Sequence, residues 1–347
     1  MKAIGYKVSQ AIEQAESLLD IELPDPVASG RDLLVEVKAV SVNPVDTKVR
    51  QRGGPDAGQE YKVLGWDASG IVKAVGPEAS LFKPGDRVWY AGSIARPGTN
   101  SQLHLVDERI VAHAPKSLDF AAAAALPLTT ITAWEMLFDR LGIAPGKAPS
   151  GKSLLIVGAS GGVGSIMMQL ASRLTSLTVI GTASHPETQT WVRELGAHHV
   201  IDHSKPLSAE LERIGYPQVD YVVSLTHTDQ HFEQIVKAIA PQGKFGLIDD
   251  PASLDVSQLK RKSVSLHWEF MFTRSLFGTD DMLAQHRLLS EVADLIDAGL
   301  IRTTLTERFG SINASNLKKA HALLESGKAR GKLVLEGWNV TSCGGKL

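Results

Sequence analysis

The chain has 347 residues, 43% of them hydrophobic and 21% charged, and a formal net charge of -2. That length suits two ordinary domains and is short for three. The near-neutral charge excludes a global basic field for holding nucleic acid or an anionic membrane.

No apolar run is expected to reach the ~20 residues that span a bilayer. The start, Met1-Lys2-Ala3-Ile4-Gly5-Tyr6, reads as a strand and not as a secretion signal. One cysteine, Cys343, allows neither an internal disulfide nor a cysteine metal cluster. A cytoplasmic enzyme or binding protein is the expectation.

Up to about Ala125 the texture is all β. Strands are expected over 33–40 and 69–76, and Lys83-Pro84-Gly85-Asp86-Arg87-Val88 reads as a turn feeding a third. Short strands at this spacing suggest a barrel or sandwich. Then the pattern changes to alternating helix and strand. Helices are expected over 129–141, 163–174 and 186–195, the last stopped by Gly196, with strands over 154–157, 178–181, 200–201, 221–223 and 245–248. Such alternation implies a parallel sheet with helices on both faces. The remainder is mixed: a strand over 263–268, an amphipathic helix over 282–298, a strand near Leu305, a helix over 317–325 and a strand over 331–336. The polar stretch 339–347 is expected to fray.

The most informative segment is Leu154-Leu155-Ile156-Val157-Gly158-Ala159-Ser160-Gly161-Gly162-Val163-Gly164. A buried strand runs into closely spaced glycines and then into a helix. Small residues are needed there if a pyrophosphate is to approach the backbone, where free N–H groups and the positive end of the helix dipole bind it. Gly158, Ser160, Gly161, Gly162, Val163 and Gly164 are therefore candidate cofactor contacts; the alternative is an ordinary tight turn.

An NAD site of this kind places a carboxylate about 20 positions on, at the end of the second strand, to grip the ribose 2′-hydroxyl. Here that strand ends Ile180-Gly181-Thr182-Ala183-Ser184-His185, and the first carboxylate is Glu187. Ala183 leaves room for a 2′-phosphate, and Ser184 and His185 can donate hydrogen bonds to it. NADP(H) is the expected cofactor; the competing reading is a merely polar edge that accepts both dinucleotides.

Several segments together resemble the medium-chain dehydrogenase/reductases, and within them the zinc-lacking quinone oxidoreductase branch whose members are often labelled zinc-type alcohol dehydrogenase-like. They are Val42-Asn43-Pro44-Val45-Asp46, Leu64-Gly65-Trp66-Asp67-Ala68-Ser69-Gly70, the turn at Lys83 to Val88, Leu126-Pro127-Leu128-Thr129-Thr130-Ile131-Thr132-Ala133-Trp134, the glycine loop, and Gly331-Lys332-Leu333-Val334-Leu335-Glu336. The resemblance covers the chain from near Met1 to Glu336. It implies an α/β protein made of a GroES-like β-barrel domain and a Rossmann doubly wound parallel sheet, with the active site in the cleft. The expected divisions are 1–125 for the GroES-like catalytic domain, 126–262 for the Rossmann NADP-binding domain, and 263–347 for a C-terminal return that completes the catalytic domain and the sheet edge. A homodimer formed through the Rossmann sheet edges is also implied.

Zinc-dependent members of that family carry a cysteine where Asn43 stands and Gly-His-Glu where Gly65-Trp66-Asp67 stands. A catalytic zinc needs about three ligands of the Cys, His or Asp/Glu type, so no family-type metal is expected. His227-Thr228-Asp229-Gln230-His231 has i,i+4 spacing. Thr228 or Asp229 reads as the helix N-cap, however, leaving His227 outside, and no Glu follows the first His as a zincin requires. His198, His199 and His203 flank a short strand and read as surface or cleft residues.

Without a metal there is no Lewis acid to stabilise an alkoxide, which favours hydride delivery to a conjugated acceptor, a quinone or an enone, over simple alcohol oxidation. Asn43 is the first candidate for a polar group facing the nicotinamide or the acceptor oxygen; its alternative is a turn before Pro44. Asp46 and Asp67 are either catalytic or fixers of barrel loops. Thr129 and Thr130 contact the cofactor or cap a helix, and Lys332 reaches the cofactor or is a solvated strand lysine. Pro44, Leu225 and Ile248 are counted with the cofactor contacts. Trp66, Phe270 and Phe272 are candidates for an apolar wall against a flat acceptor. Three functions follow: an NADPH-dependent quinone or enone reductase, another carbonyl or enoyl-thioester reductase, or a non-catalytic NADPH-binding protein.

Overall fold

The computed structural model describes residues 1–338, in two units: 1–128 with 272–338, and Thr129–Met271. Cys343 and the stretch 339–347 lie outside the described residues.

The first unit opens with strands Lys2–Tyr6 (β1), Leu19–Glu22 (β2) and Asp32–Ser41 (β3). Side chains of β3 alternate between buried and half-buried for most of its length, the period of a sheet with one face on the core. A helix, Pro44–Arg52 (α1), then interrupts a stretch expected to be all β. Asn43 is its N-cap and Pro44 its first residue, a combination that starts helices because proline's missing N–H would be unpaired there anyway. Strands Lys62–Val63 (β4), Ala68–Val75 (β5), Arg87–Tyr90 (β6), Leu103–Asp107 (β7) and Val111–His113 (β8) follow. β2, β1 and β4 form a small sheet; β3, β5, β6 and β8 belong to a larger one, with β7 on β3. Gly70 permits the β3–β5 approach, since a Cβ there would lie 2.3 Å from the Glu36 carbonyl oxygen.

Helices Phe120–Ala124 (α2) and Pro127–Trp134 (α3) lead into a π-helical turn, Glu135–Arg140. The expected helix over 129–141 thus starts earlier and widens at its end. Phe120–Arg140 also corrects the reading of apolar runs: this 21-residue helical stretch is long enough to cross a membrane, and its best window has mean hydropathy 1.3. Its best window is 89% buried in the protein, so its apolar character serves packing.

The second unit alternates Ser153–Val157 (β9), Gly162–Leu174 (α4), Thr178–Thr182 (β10), Pro186–Glu194 (α5), His199–Ile201 (β11), Leu207–Arg213 (α6), Val219–Ser224 (β12), Thr228–Ala238 (α7), Ile239–Leu247 (β13) and Ser265–Trp268 (β14). All pairings are parallel, in the order β11-β10-β9-β12-β13-β14, which is the doubly wound arrangement. Every residue of β9 is buried, as expected of a strand covered on both faces. β14 begins at Ser265 rather than at 263 because Ser263 is left-handed, φ 52°, where a 3-10 turn ends.

The chain returns to the first unit through Thr273–Phe277 (α8), Leu283–Asp297 (α9), Leu305–Arg308 (β15), Ala314–Glu325 (α10) and Lys332–Glu336 (β16). β16 pairs antiparallel with β3, Val334 opposite Ser41, so the C-terminal strand completes the large sheet. Of the segment from 263 on, β14 bonds to β13 at the end of the parallel sheet, and the chain from Phe272 belongs to the first unit. α10 starts before its expected 317, capped by the Asn313 side chain, which accepts from the Asn316 N–H at 2.8 Å.

Candidate functional site

In the first unit, four of the candidate residues converge. Asn43, Asp46, Asp67 and Lys332 are at most 3% exposed. The Asn43 amide is fixed at both ends: Nδ2 donates to Asp67 Oδ2 at 2.8 Å, and Oδ1 accepts from Lys332 Nζ. Lys332 Nζ also donates to Asp67 Oδ2 at 2.9 Å and to the Val42 carbonyl at 3.0 Å, which employs all three ammonium protons. Asp67 Oδ1 accepts the Leu128 N–H at 2.8 Å. Asp46 stands at the third position of α1 and accepts the Asn43 N–H at 2.7 Å. The backbone contributors, Val42 and Leu128, carry no sequence signal; any residue supplies a carbonyl or an N–H.

Two carboxyls and one ammonium share this dry space. Burial pushes the Asp46 carboxyl up to about 7, against the pull of the Asn43 N–H and Lys332, with Asp67 adding to the rise. Burial also raises Asp67, opposed by Lys332 and Asn43. Gly65 adopts φ +109°, and a Cβ there would meet Thr99 Oγ1 at 2.6 Å, so the turn that delivers Trp66 and Asp67 requires glycine. Trp66 Nε1 donates to the Ser93 carbonyl at 3.1 Å, and its ring meets Phe272 edge-on with centroids 6.1 Å apart.

The zinc test is one of donor chemistry. Asn43 is an amide whose oxygen is already bound by an ammonium, Trp66 offers only an N–H, and Lys332 supplies the positive charge beside Asp67. These residues do not fit a zinc ion, which needs anionic or imidazole donors. Among the described residues no group of three or more His, Cys, Asp or Glu side chains is placed to hold a metal.

In the second unit the parallel sheet brings the end of every strand to one rim. β9 ends at Val157, and the loop turns through Gly158, φ +84°, into α4 with Gly161 as N-cap. The Gly158 N–H donates to Thr182 Oγ1 at 3.1 Å, tying the loop to the end of β10. A Cβ on Gly164 would sit 2.4 Å from the Gly158 carbonyl oxygen, whereas one on Gly161 would meet that atom at 3.5 Å. The spacing therefore has two reasons: Gly164 packs helix on loop, and Gly161 keeps the N-terminus of α4 bare. Ser160, Gly162 and Val163 are partly exposed there, and the Leu225 N–H joins the same rim by donating to the Val157 carbonyl at 3.1 Å. Ile248 directly follows β13.

His185 is the exposed N-cap of α5, beside half-buried Ser184 and buried Ala183. Thr129 and Thr130 lie inside α3, which starts at Pro127, so neither caps it. Both are buried. The N-cap of α7 is His227 itself, left-handed at φ 49°, and not Thr228 or Asp229. Thr228 instead bonds through Oγ1 to Ser224 and Asp249. Phe270 is 47% exposed and Phe272 only 2%.

Sequence reasoning missed one buried group in the second unit. Glu269 accepts from Arg140 Nε at 2.7 Å, and Arg140 Nη2 lies 3.6 Å from Glu135 Oε2. Burial and the neighbouring Glu135 push Glu269 up to about 9, partly opposed by Arg140. The signal available was the presence of two acids in otherwise apolar segments, 131–137 and 266–272.

Comparisons with known proteins agree with this architecture. The alcohol dehydrogenase GroES-like domain family matches residues 29–116 and the zinc-binding dehydrogenase family residues 195–335. A zinc-type alcohol dehydrogenase-like protein of Staphylococcus aureus (strain MSSA476) is 40% identical over 337 residues, 96% of this chain and 99% of its own. The NAD(P)H oxidoreductase RTN4IP1, mitochondrial, of Homo sapiens is 30% identical over 88% of this chain and 81% of its own. A Rhizobium etli CFN 42 crystal structure, named provisionally as a zinc-dependent alcohol dehydrogenase, is 60% identical with TM-score 0.94, covering 98% and 99% of the two chains. A Pseudomonas syringae quinone oxidoreductase is 26% identical with TM-score 0.81, covering 97% and 99%. A sheet completed by its C-terminal strand, a doubly wound glycine-loop unit and full-length relatives at this identity have one conclusion: the chain is an oxidoreductase-type member of the medium-chain dehydrogenase/reductase superfamily.

Proposed function

We propose that the chain is an NADPH-dependent, zinc-independent reductase that delivers hydride to a quinone or an α,β-unsaturated carbonyl. The observation that carries this reading is the Asn43–Asp67–Lys332 cluster. At Asn43 and Asp67, which stand where zinc enzymes of the family carry cysteine and the Gly-His-Glu acid, the chain buries an amide and a carboxyl that are satisfied by each other and by the Lys332 ammonium. The quinone oxidoreductase among the similar structures, and the NAD(P)H oxidoreductase among the relatives, support the acceptor class and the cofactor.

The residues present fit a nicotinamide dinucleotide. The bare N-terminus of α4, with Gly161, Gly162 and Val163, would hold the pyrophosphate through backbone N–H groups. Ser184 and His185 would hold the 2′-phosphate. Once bound, the dinucleotide supplies the hydride, and the protein supplies binding and orientation. Lys332 holds its three protons on Val42, Asn43 and Asp67. It thereby fixes the Asn43 rotamer without donating to a ligand.

A homodimer and a cytoplasmic site of action belong to the same proposal. The dimer is supported by β14 at the open end of the sheet order, with Trp268 54% exposed on it. The location is supported by a single cysteine in 347 residues.

The test is oxidation of NADPH by chelator-treated protein with 9,10-phenanthrenequinone and an enone panel, run beside NADH. Turnover that survives chelation and prefers NADPH is expected. Activity restored only by added zinc overturns the reading, and NADPH binding without turnover of any acceptor replaces it with a binding protein.

A further inference from the structure

Four histidines gather on the rim of the parallel sheet, each following a different strand or beginning the next helix. His185 follows β10, His203 follows β11, His227 follows β12, and His231 lies in the first turn of α7. The His203 and His231 rings lie 6.3 Å apart, nearly perpendicular. His203 Nδ1 is buried and has no hydrogen-bond partner among the described residues, a condition that asks for an explanation in a folded protein. His227 sits in a left-handed conformation, φ 49°, and its Nδ1 lies 2.7 Å from Thr226 Oγ1.

We propose that His203, His227 and His231 join His185 as a histidine cluster that reads the 2′-phosphate of the dinucleotide, so that preference for the phosphorylated cofactor is set by protonation. This deepens the NADPH reading and rests on it. The rim is where a doubly wound sheet binds the adenosine ribose, and His185 directly follows Ser184 in the loop after β10.

The charges facing the cluster are few. His203 is held below the usual histidine range by burial and by His185 and His227, with Asp202 opposing. His231 is lowered by burial, His203 and His227, with Asp229 and Asp249 opposing. The Asp249 carboxylate is already engaged by the Thr228 N–H and hydroxyl, and Lys205 stands 4.0 Å from Asp202. Without ligand, burial and mutual repulsion thus favour neutral rings at His203 and His231. A phosphate dianion reverses that preference and draws a proton onto the cluster. The phosphate has its own second pKa near 6, so any proton it exchanges on binding above that pH is released and not taken up.

The test uses the full chain and two probes, 2′,5′-ADP and 5′-AMP, titrated calorimetrically between pH 6.5 and 8.5 in buffers of different ionisation enthalpy. Affinity for 2′,5′-ADP is expected to fall about tenfold across that range, with proton uptake on binding, while 5′-AMP shows little slope. His203→Asn should flatten the slope and lower the ratio of the two affinities. His227→Asn, which suits the left-handed backbone, should do the same to a smaller extent and guards against a folding defect in the first variant. Tighter binding of 2′,5′-ADP with no pH slope and no proton uptake overturns the cluster's role and leaves the NADPH reading standing. Equal binding of the two probes, or binding of neither, overturns that reading and this proposal together.

Discussion

Lys332 and Asp67, 265 residues apart in sequence, form an ion pair at 2.9 Å with side-chain exposures of 3% and 0%. The pair closes the large sheet of the first unit chemically as well as topologically, because Lys332 opens the C-terminal strand β16 and Asp67 precedes β5. A buried pair of this kind is costly to break, since the surviving charge has no solvent.

Lys332→Met should therefore destabilise the protein by about 3–5 kcal/mol, read from denaturant unfolding. Adding Asp67→Asn to it should recover part of the loss, because the orphaned carboxyl is then neutral. A double variant no more stable than the single one would show that the ammonium acts through packing alone.

Asp46 supplies a pH signature. Its carboxyl is raised from an unfolded value near 3.9 to about 7 by burial, so its contribution is full below pH ~4 and is lost as pH rises through 7. Asp46→Asn keeps an oxygen to accept the Asn43 N–H. Its stability relative to the parent should climb between pH 4 and 7, by about 1.4 kcal/mol for each pH unit crossed, and level off above. A difference constant over that range would contradict the raised carboxyl.

Glu269 behaves likewise at higher pH. Burial and Glu135 place it at about 9, above an unfolded value near 4.3, so stability leaves as pH rises through 9. Glu269→Gln mimics the protonated acid. Thermal unfolding between pH 7 and 10 should show the variant holding its Tm while the parent falls.

The two glycines at the α4 N-terminus should separate packing from binding. Gly164→Ala forces a Cβ to 2.4 Å from backbone and should cost about 1–3 kcal/mol, with weaker NADPH binding besides. Gly161→Ala, at 3.5 Å and with φ -72°, should fold normally yet bind NADPH about tenfold more weakly, a loss of ~1.4 kcal/mol. Fluorescence titration alongside unfolding distinguishes the two; equal stability of both variants would sink the packing role of Gly164.

Much of the architecture is legible in local pattern. The strand–glycine–helix passage at 154–164 and the alternation behind it specify a parallel sheet because each strand is a short apolar run and each helix has a stop. Legibility fails where a feature depends on distant chain. α1 is hidden because its turns are nearly all polar, and only the Asn43-Pro44 start marks it. Ser263 shortens β14 through a backbone conformation that its side chain does not announce. The apolar stretch 120–140 escapes notice because its threonines, Pro127, Trp134 and Glu135 dilute its hydropathy.

Residue type and short spacing are enough to mark the doubly wound unit, to carry the resemblance to the superfamily, and to show neither cysteine nor histidine at the positions where its zinc-dependent members hold metal. What stands in their place depends on the packed chain. No spacing rule connects Asn43, Asp67 and Lys332, yet the pairing of β16 with β3 and the glycine turn at Gly65 bring them within hydrogen-bond reach. Their charges then have meaning only through burial. An ammonium on a solvated strand would do nothing for Asp67, whereas one enclosed with it satisfies the carboxyl that water cannot reach.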